Sequence, residues 1–200
     1  QYRNYANLAE SYSTIPSRFM AITHGVSAVG KSHVAMRLVE ALGAIRLRSD
    51  VERKRLFGEQ TVANDVQAGI YSADASAKTY ARLHEIAEVI LHAGFPVVID
   101  ATYLKREQRD NAAKIAEATG TPFLILDCNA PQAVIESWLA IRQADKQDPS
   151  DATLAVIEAQ QANREALTPE EILRSKRVQT NESGTLDTVV AQIRQRLPGL

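Results

Sequence analysis

Gly25-Val26-Ser27-Ala28-Val29-Gly30-Lys31-Ser32 decides the reading of this 200-residue chain, because it fits the spacing G-x-x-x-x-G-K-[ST]. The apolar run Phe19-Met20-Ala21-Ile22 precedes it and an amphipathic segment, His33 to Leu42, follows. A strand therefore delivers the loop and a helix receives it, the context in which this spacing binds phosphate. The glycines let backbone N–H groups turn toward an anion, and the helix N-terminus adds partial positive charge. Gly25, Ala28, Val29, Gly30, Lys31 and Ser32 are thus the candidate phosphate-binding residues. Lys31 can reach the β- and γ-phosphates of a nucleotide, and the Ser32 hydroxyl can complete a Mg²⁺ shell. The competing reading, a chance glycine turn, is disfavoured by the full pattern standing in this context.

Outward from the loop, strand-like and helix-like stretches alternate, which predicts parallel βαβ units. Strands are expected at Arg18–His24, Ala44–Arg48, Pro96–Ala101, Pro122–Asn129 and Arg177–Thr180. Helices are expected near 31–42, 74–93, 105–119, 131–143, 151–166 and 185–196, with Gly43, Gly94 and Gly120 as stops. The fold class is therefore α/β: a P-loop NTPase with a five-stranded parallel sheet, helices on both faces and a small helical lid. Its ligand crevice should lie at the carboxyl ends of the strands. Residues 1–17, polar and aromatic with Pro16 near their end, read as a linker or the tail of an upstream domain, leaving 18–200 as the catalytic unit.

Two carboxylates fall where strands should meet that crevice. Asp50 follows the second strand and can accept a proton from a substrate hydroxyl or orient Mg²⁺ through water. Arg53, three residues on, points to the same side if Asp50 opens a helix, and can pair with an anionic acceptor. An N-cap role for Asp50 and a solvated basic face for Arg53 to Arg55 are the plainer alternatives. Asp100 ends the apolar run Pro96 to Ile99, and can hold Mg²⁺ through water or anchor the acceptor. Arg106 and Arg109 follow on the next helix, where exposed charge is the commoner explanation. Residues 131–155 hold two helical segments around a polar turn, Asp145 to Ser150, and suit a flap that excludes water from the reaction. Arg142 there can touch a transferring phosphoryl group. Trp138, on the same face, reads as core, and Asp151 as the cap of the following helix.

Composition narrows the classes. A net charge of −1 argues against an extensive nucleic-acid surface or attachment to an anionic membrane. Cys128 is the single cysteine, so no internal disulfide forms, and a reducing, cytoplasmic location is expected. No apolar run has membrane-spanning length. His84 and His92 lack a third ligand at metal-binding spacing, His24 shows no nucleophile arrangement, and Cys128 lies in an apolar strand. The Arg174–Arg177 cluster suits either a basic rim around the nucleotide or a solvated face.

GVSAVGKS at 25–32, LRSDVERKRLFG at 47–58, GIYSADASAKTYARL at 69–83, VVIDATYLKREQRD at 97–110 and DPSDATLAVIEAQ at 148–160 carry a family resemblance. The chain resembles P-loop kinases of the AAA_33, zeta-toxin-like and polynucleotide-kinase-like group, and more specifically the kinase domain fused in bacteria behind an aminoglycoside-phosphotransferase-like domain. The resemblance implies ATP and Mg²⁺ as cofactors. It also implies Lys31 and Ser32 as phosphate and Mg²⁺ residues, Asp50 as general base, Arg53 as acceptor-side arginine, Asp100 as the acid of a D-x-T motif and Arg142 as a lid arginine. The loop departs from the usual pattern at Ala28-Val29, where relatives usually carry Ser-Gly. Trp138 stands where many relatives carry another lid arginine.

The leading expectation is an ATP-dependent kinase acting on a small hydroxyl acceptor, whose pocket would draw on residues 53–80 and 103–109. A nucleic-acid 5′-hydroxyl kinase and a nucleotide-binding regulatory module without phosphotransfer are the alternatives.

Overall fold

The protein is described from a computed structural model covering residues 17–58, 72–144 and 153–196, with only the backbone of 142–144 and 196. The expected linker at 1–17 lies, apart from Ser17, outside these residues, as do the polar turn Asp145 to Ser150 and Asp151.

The elements run β1 (Met20–His24), α1 (Lys31–Leu42), β2 (Ile45–Arg48), α2 (Ser49–Phe57), α3 (Ala73–His92), β3 (Val97–Asp100), α4 (Arg106–Ala118), β4 (Phe123–Asn129), α5 (Gln132–Ala144), α6 (Leu154–Asn163), α7 (Pro169–Leu173), β5 (Ser175–Gln179) and α8 (Thr185–Arg196). The five strands form one parallel sheet in the order β2-β3-β1-β4-β5. From β1 the chain builds β2 and β3 on one side, then crosses to β4 on the other. The loop after β1 therefore stands where the strand order reverses, the place at which open α/β sheets bind ligands.

Strand side chains alternate between faces, and the central strands are apolar on both. Met20, Ile22, Val97, Ile99 and Ile125 pack on one side with Tyr80, Leu83, Ala87 and Leu91 of α3 and Ala112 and Ala116 of α4. Phe19, Ala21, Val98, Leu126 and Val178 pack on the other with α1, α5, α6 and α8, through Leu38, Ile135, Ile157 and Val190. Two layers of helix around one sheet result, as the alternation required. Among the described residues no helix is long and apolar enough to cross a membrane.

Local differences from the sequence reading have identifiable causes. Of two short helices, α2 was raised only as a condition for Arg53 facing the side of Asp50, and α7 was not anticipated. The second is written in Thr168-Pro169-Glu170-Glu171, a capping box with proline in the first turn. Helix α6 is shorter than the expected 151–166, and Thr153 caps it by accepting the Val156 N–H at 3.3 Å. β5 starts two residues earlier than expected because Ile125 N reaches Arg174 O.

Arg109 requires a correction. It is not exposed helix charge but one of the most buried side chains, at 1% exposure. Its guanidinium donates to the carbonyls of Tyr103 (3.1 Å), Leu104 (3.3 Å), Glu165 (3.3 Å) and Ala166 (3.2 Å), and forks onto Glu171 at 2.5 and 3.1 Å. One planar side chain thereby satisfies the carbonyls of two irregular segments that no ladder could pair. Arg109→Met should strip the Glu165 and Ala166 carbonyls of this donor and the Glu171 carboxylate of its charge partner, lowering stability by about 3–5 kcal/mol in chemical denaturation.

Candidate functional site

The phosphate-loop geometry begins with Gly25. Its φ of +140° and a Cβ position only 2.7 Å from the Cys128 carbonyl oxygen exclude any larger residue without a shift of β4. Its N–H donates to Thr102 O at 3.1 Å, fixing the loop to the segment after β3. Ala28 takes a left-handed φ of 62°, a cost of about 1 kcal/mol for a residue with a Cβ. Gly30 ends the loop and caps α1, whose first turn has neither a side-chain cap nor an acidic residue. The orphan N–H groups of that turn are therefore left to another acceptor, and an anion is the natural one. Lys31, 9% exposed, lays its ammonium back across the loop and donates to Val26 O at 2.6 Å.

Ser32 and Asp100 come together: the Ser32 hydroxyl donates to Asp100 Oδ2 at 2.9 Å. Asp100 is buried, with 5% of its side chain exposed. A hydroxyl and a carboxylate at a helix N-terminus form a hard-oxygen pair that suits Mg²⁺, which is generally held by one or two protein oxygens together with substrate phosphates. Among the described residues no cluster of three or more His, Cys, Asp or Glu would hold a metal without such phosphates.

Asp50 opens α2 at the carboxyl end of β2. The fork of Arg48 donates to it at 3.1 and 2.6 Å, and Val51 N donates at 2.8 Å. These bonds use three of the roughly four lone-pair positions of the carboxylate, so one remains open to a further donor. Asp50 is thus no simple N-cap. Its one backbone bond is to the next residue, and its orientation is set by Arg48. Arg53 lies on α2 close enough to Tyr80 to act on its phenol. Burial raises the Tyr80 pKa, while bonds to Thr102 and Tyr103 and the Arg53 charge work against that rise. Tyr80 Oη lies 3.1 Å from Thr102 Oγ1 and accepts Tyr103 N–H at 3.1 Å. α2, α3 and the segment after β3 therefore meet beside the two carboxylates.

The arginine expected in the lid, Arg142, falls on the backbone of α5, and its side chain lies outside the described residues. Trp138 is half-buried on the same helix rather than part of the core. Of the residues expected to line an acceptor pocket, 59–71 lie outside the described set. Tyr103 and Arg109 are corrected: both are fully buried and occupied by structural bonds.

Several positioning residues were not singled out from the sequence. Gln160 of α6 accepts Ser27 N–H at 2.7 Å and donates to Ser27 Oγ at 3.1 Å, so α6 docks on the phosphate loop. The Thr180 hydroxyl lies 2.7 Å from Val29 O and 3.1 Å from Asn129 O. Arg46 pairs with Asp100. Arg46 and Arg48 were legible as two cations on one face of a strand, an unusual pattern beside a core. Nothing in the sequence marked Gln160 or Thr180, whose partners in the loop, Ser27 and Val29, are over 130 residues away.

His24 is also in this network. Its Nδ1 lies 3.0 Å from Tyr103 O, and Arg164 Nε donates to its Nε2 at 3.0 Å while Arg164 Nη2 reaches Asp127 at 2.8 Å. The ring is thus neutral, with the proton on Nδ1. Burial, reinforced by the Arg164 charge, lowers its pKa to about 4. His84, against Tyr103 Oη at 3.0 Å, is lowered to about 4 by burial. Cys128 is a core thiol pushed up to about 12 by burial, hence unreactive. His92 and the arginines at 174 and 177 are exposed.

Both buried rings stay neutral in the fold down to about 4, whereas in the unfolded chain they protonate near 6.5. Between those values the unfolded state binds more protons, so stability should fall as pH is lowered from about 6.5 toward 4. Melting temperatures across that range check this. His84→Phe should flatten part of the slope relative to wild type.

Comparison with known proteins agrees with this architecture. The chain is 24% identical over 147 residues to uncharacterized proteins of Mycobacterium tuberculosis and Mycobacterium bovis, covering 72% of this chain and 30% of theirs. It thus spans under a third of the length of these curated relatives. Among solved structures it is similar to a sugar kinase from Janibacter sp. (TM-score 0.65, 20% identity, 90% of this chain and 94% of that one). It is similar also to the APS kinase of Mycobacterium tuberculosis solved with AMPPNP and APS (0.62, 20%, 90% and 97%). Kti12 of Chaetomium thermophilum, solved with ADP-AlF3, gives 0.69 at 13% identity, with 90% and 100% covered. Residues 20–167 match the AAA_33 family, described as an AAA domain, and the chain belongs to that family.

Proposed function

We propose that the chain is an ATP-dependent kinase that transfers a γ-phosphoryl group to a hydroxyl on a small molecule. The observation that carries the reading is the convergence of Lys31 and Ser32, at the end of the phosphate loop, with Asp100 and with Asp50 at adjoining strand ends. In this reading the backbone of Gly25 to Ser32 cradles the phosphates and Lys31 leaves Val26 O for phosphate oxygens. Asp50 uses its remaining lone pair to take the acceptor proton, and Arg53 beside Tyr80 holds the acceptor. Ser32, with Asp100 acting through water, would hold Mg²⁺, which would supply charge neutralisation for the phosphates. Arg142 would add positive charge from the lid. The solved sugar kinase and APS kinase, proteins of the same fold, support this assignment. The resemblance to kinase domains fused behind a phosphotransferase-like domain, together with the greater length of the relatives, supports reading residues 1–17 as a tail of such a domain. The single, buried cysteine supports a cytoplasmic setting.

A nucleotide-binding module without phosphotransfer is the second reading, favoured by the Arg48 fork that engages both oxygens of Asp50. Label transfer from γ-labelled ATP to a panel of sugars, sugar acids and a short 5′-hydroxyl oligonucleotide separates the readings. A labelled sugar or sugar acid supports the first, a labelled oligonucleotide makes the chain a nucleic-acid kinase, and bound ATP without any product supports the module. Asp50→Asn should reduce transfer at least about 10²-fold while calorimetric ATP binding is retained. Undiminished turnover in that variant would remove Asp50 as the base.

A further inference from the structure

β2 is an edge strand carrying arginines at two positions that share a face, Arg46 and Arg48. Arg48 turns to Asp50, whereas Arg46 turns to Asp100. Arg46 Nε donates to Asp100 Oδ2 at 3.1 Å and Arg46 Nη2 donates to the same oxygen. The Ser32 hydroxyl donates to that oxygen as well, at 2.9 Å. A fixed cation and the expected metal-side hydroxyl thus converge on one buried carboxylate oxygen. The Arg46 guanidinium is itself largely shielded, at 18% side-chain exposure.

The electrostatic consequence follows from the signs. A divalent cation is drawn to such a site by the carboxylate's negative charge, and attraction between charges a few ångströms apart is strong where water is largely excluded. Arg46 cancels that charge and is itself repelled by a metal. It also performs a useful task, because its fork keeps Asp100 aimed at Ser32 whether or not a metal is bound. Resting on the nucleotide-binding reading above, we infer that Arg46 is a positioning residue that sets the metal demand of the site. It preorganises Asp100 and weakens the contribution of Mg²⁺ to nucleotide affinity. Nucleotide binding in the native protein then depends only modestly on metal, with the phosphates rather than Asp100 providing most of the metal's hold.

The test is the ratio of ADP affinities measured calorimetrically with excess Mg²⁺ and with EDTA, together with Mn²⁺ binding to the ADP complex followed by electron paramagnetic resonance. Arg46→Gln retains an N–H donor for Asp100 but loses the charge, and should raise the ratio roughly tenfold and tighten Mn²⁺ by a similar factor. Arg46→Lys retains the charge but loses the fork, and should leave the ratio close to that of the native protein. An unchanged or lowered ratio in Arg46→Gln overturns the inference, as does an Arg46→Lys variant that behaves like Arg46→Gln. Melting curves of both variants confirm that folded protein is compared. Failure of the native protein to bind ADP under either condition overturns the nucleotide-binding reading itself, a different result from nucleotide binding with an unaltered ratio.

Discussion

The segment after β3, Ala101 to Leu104, bears the hydrogen bonds on which the rest of the site depends. Ala101 exchanges bonds with the buried Thr23 hydroxyl, tying the carboxyl ends of β1 and β3. Thr102 O receives Gly25 N, so the first residue of the phosphate loop is placed by the neighbouring strand's exit. Tyr103 O lies within hydrogen-bond reach of both His24 and Arg109, and Leu104 O takes Glu165 N. Tyr103 itself is held at its N–H, its carbonyl and its hydroxyl while adopting a φ of 45°. Such a conformation costs about 1–3 kcal/mol and persists where the surroundings over-determine it. Here they do, through Tyr80, His24, Arg109 and His84.

This arrangement explains how a loop of small residues can be held rigidly. Phosphate loops present backbone rather than side chains, so their geometry must come from what surrounds them. Thr102 and Cys128 fix Gly25, Gln160 fixes Ser27, and Thr180 fixes Val29. Each contact comes from a different strand exit or helix. α6 contributes twice, through Gln160 and through Arg164 at its end, which reaches His24 and Asp127. Changes at α6 therefore reach the loop directly, without passing through the sheet.

The two carboxylates are handled differently although both follow strands. Asp100 is buried and shares one oxygen between a hydroxyl and a guanidinium, while Asp50 is half-exposed and forked by Arg48 with a lone pair to spare. Under the proposed roles, burial would suit a residue that orients, and exposure one that meets a second substrate. Arginine rather than lysine at positions 46 and 48 matters for the same reason, since only a planar fork fixes a carboxylate in direction as well as charge.

The sequence by itself determined the phosphate loop, the parallel α/β sheet and the placing of Asp50 and Asp100 at strand ends, because these follow from local spacing and apolar periodicity. Only the tertiary structure decided what those carboxylates touch, and that Arg109 is a buried anchor rather than surface charge. A lone arginine on a helix with charged neighbours looks exposed until α7 and the segment from Arg164 to Thr168 fold over it. His24, Gln160 and Thr180 were equally silent, since hydrogen bonds to partners tens of residues away leave no periodic trace in a single chain. The loop was legible because its chemistry is contiguous. Its support was not, because the fold assembles it from four separate stretches.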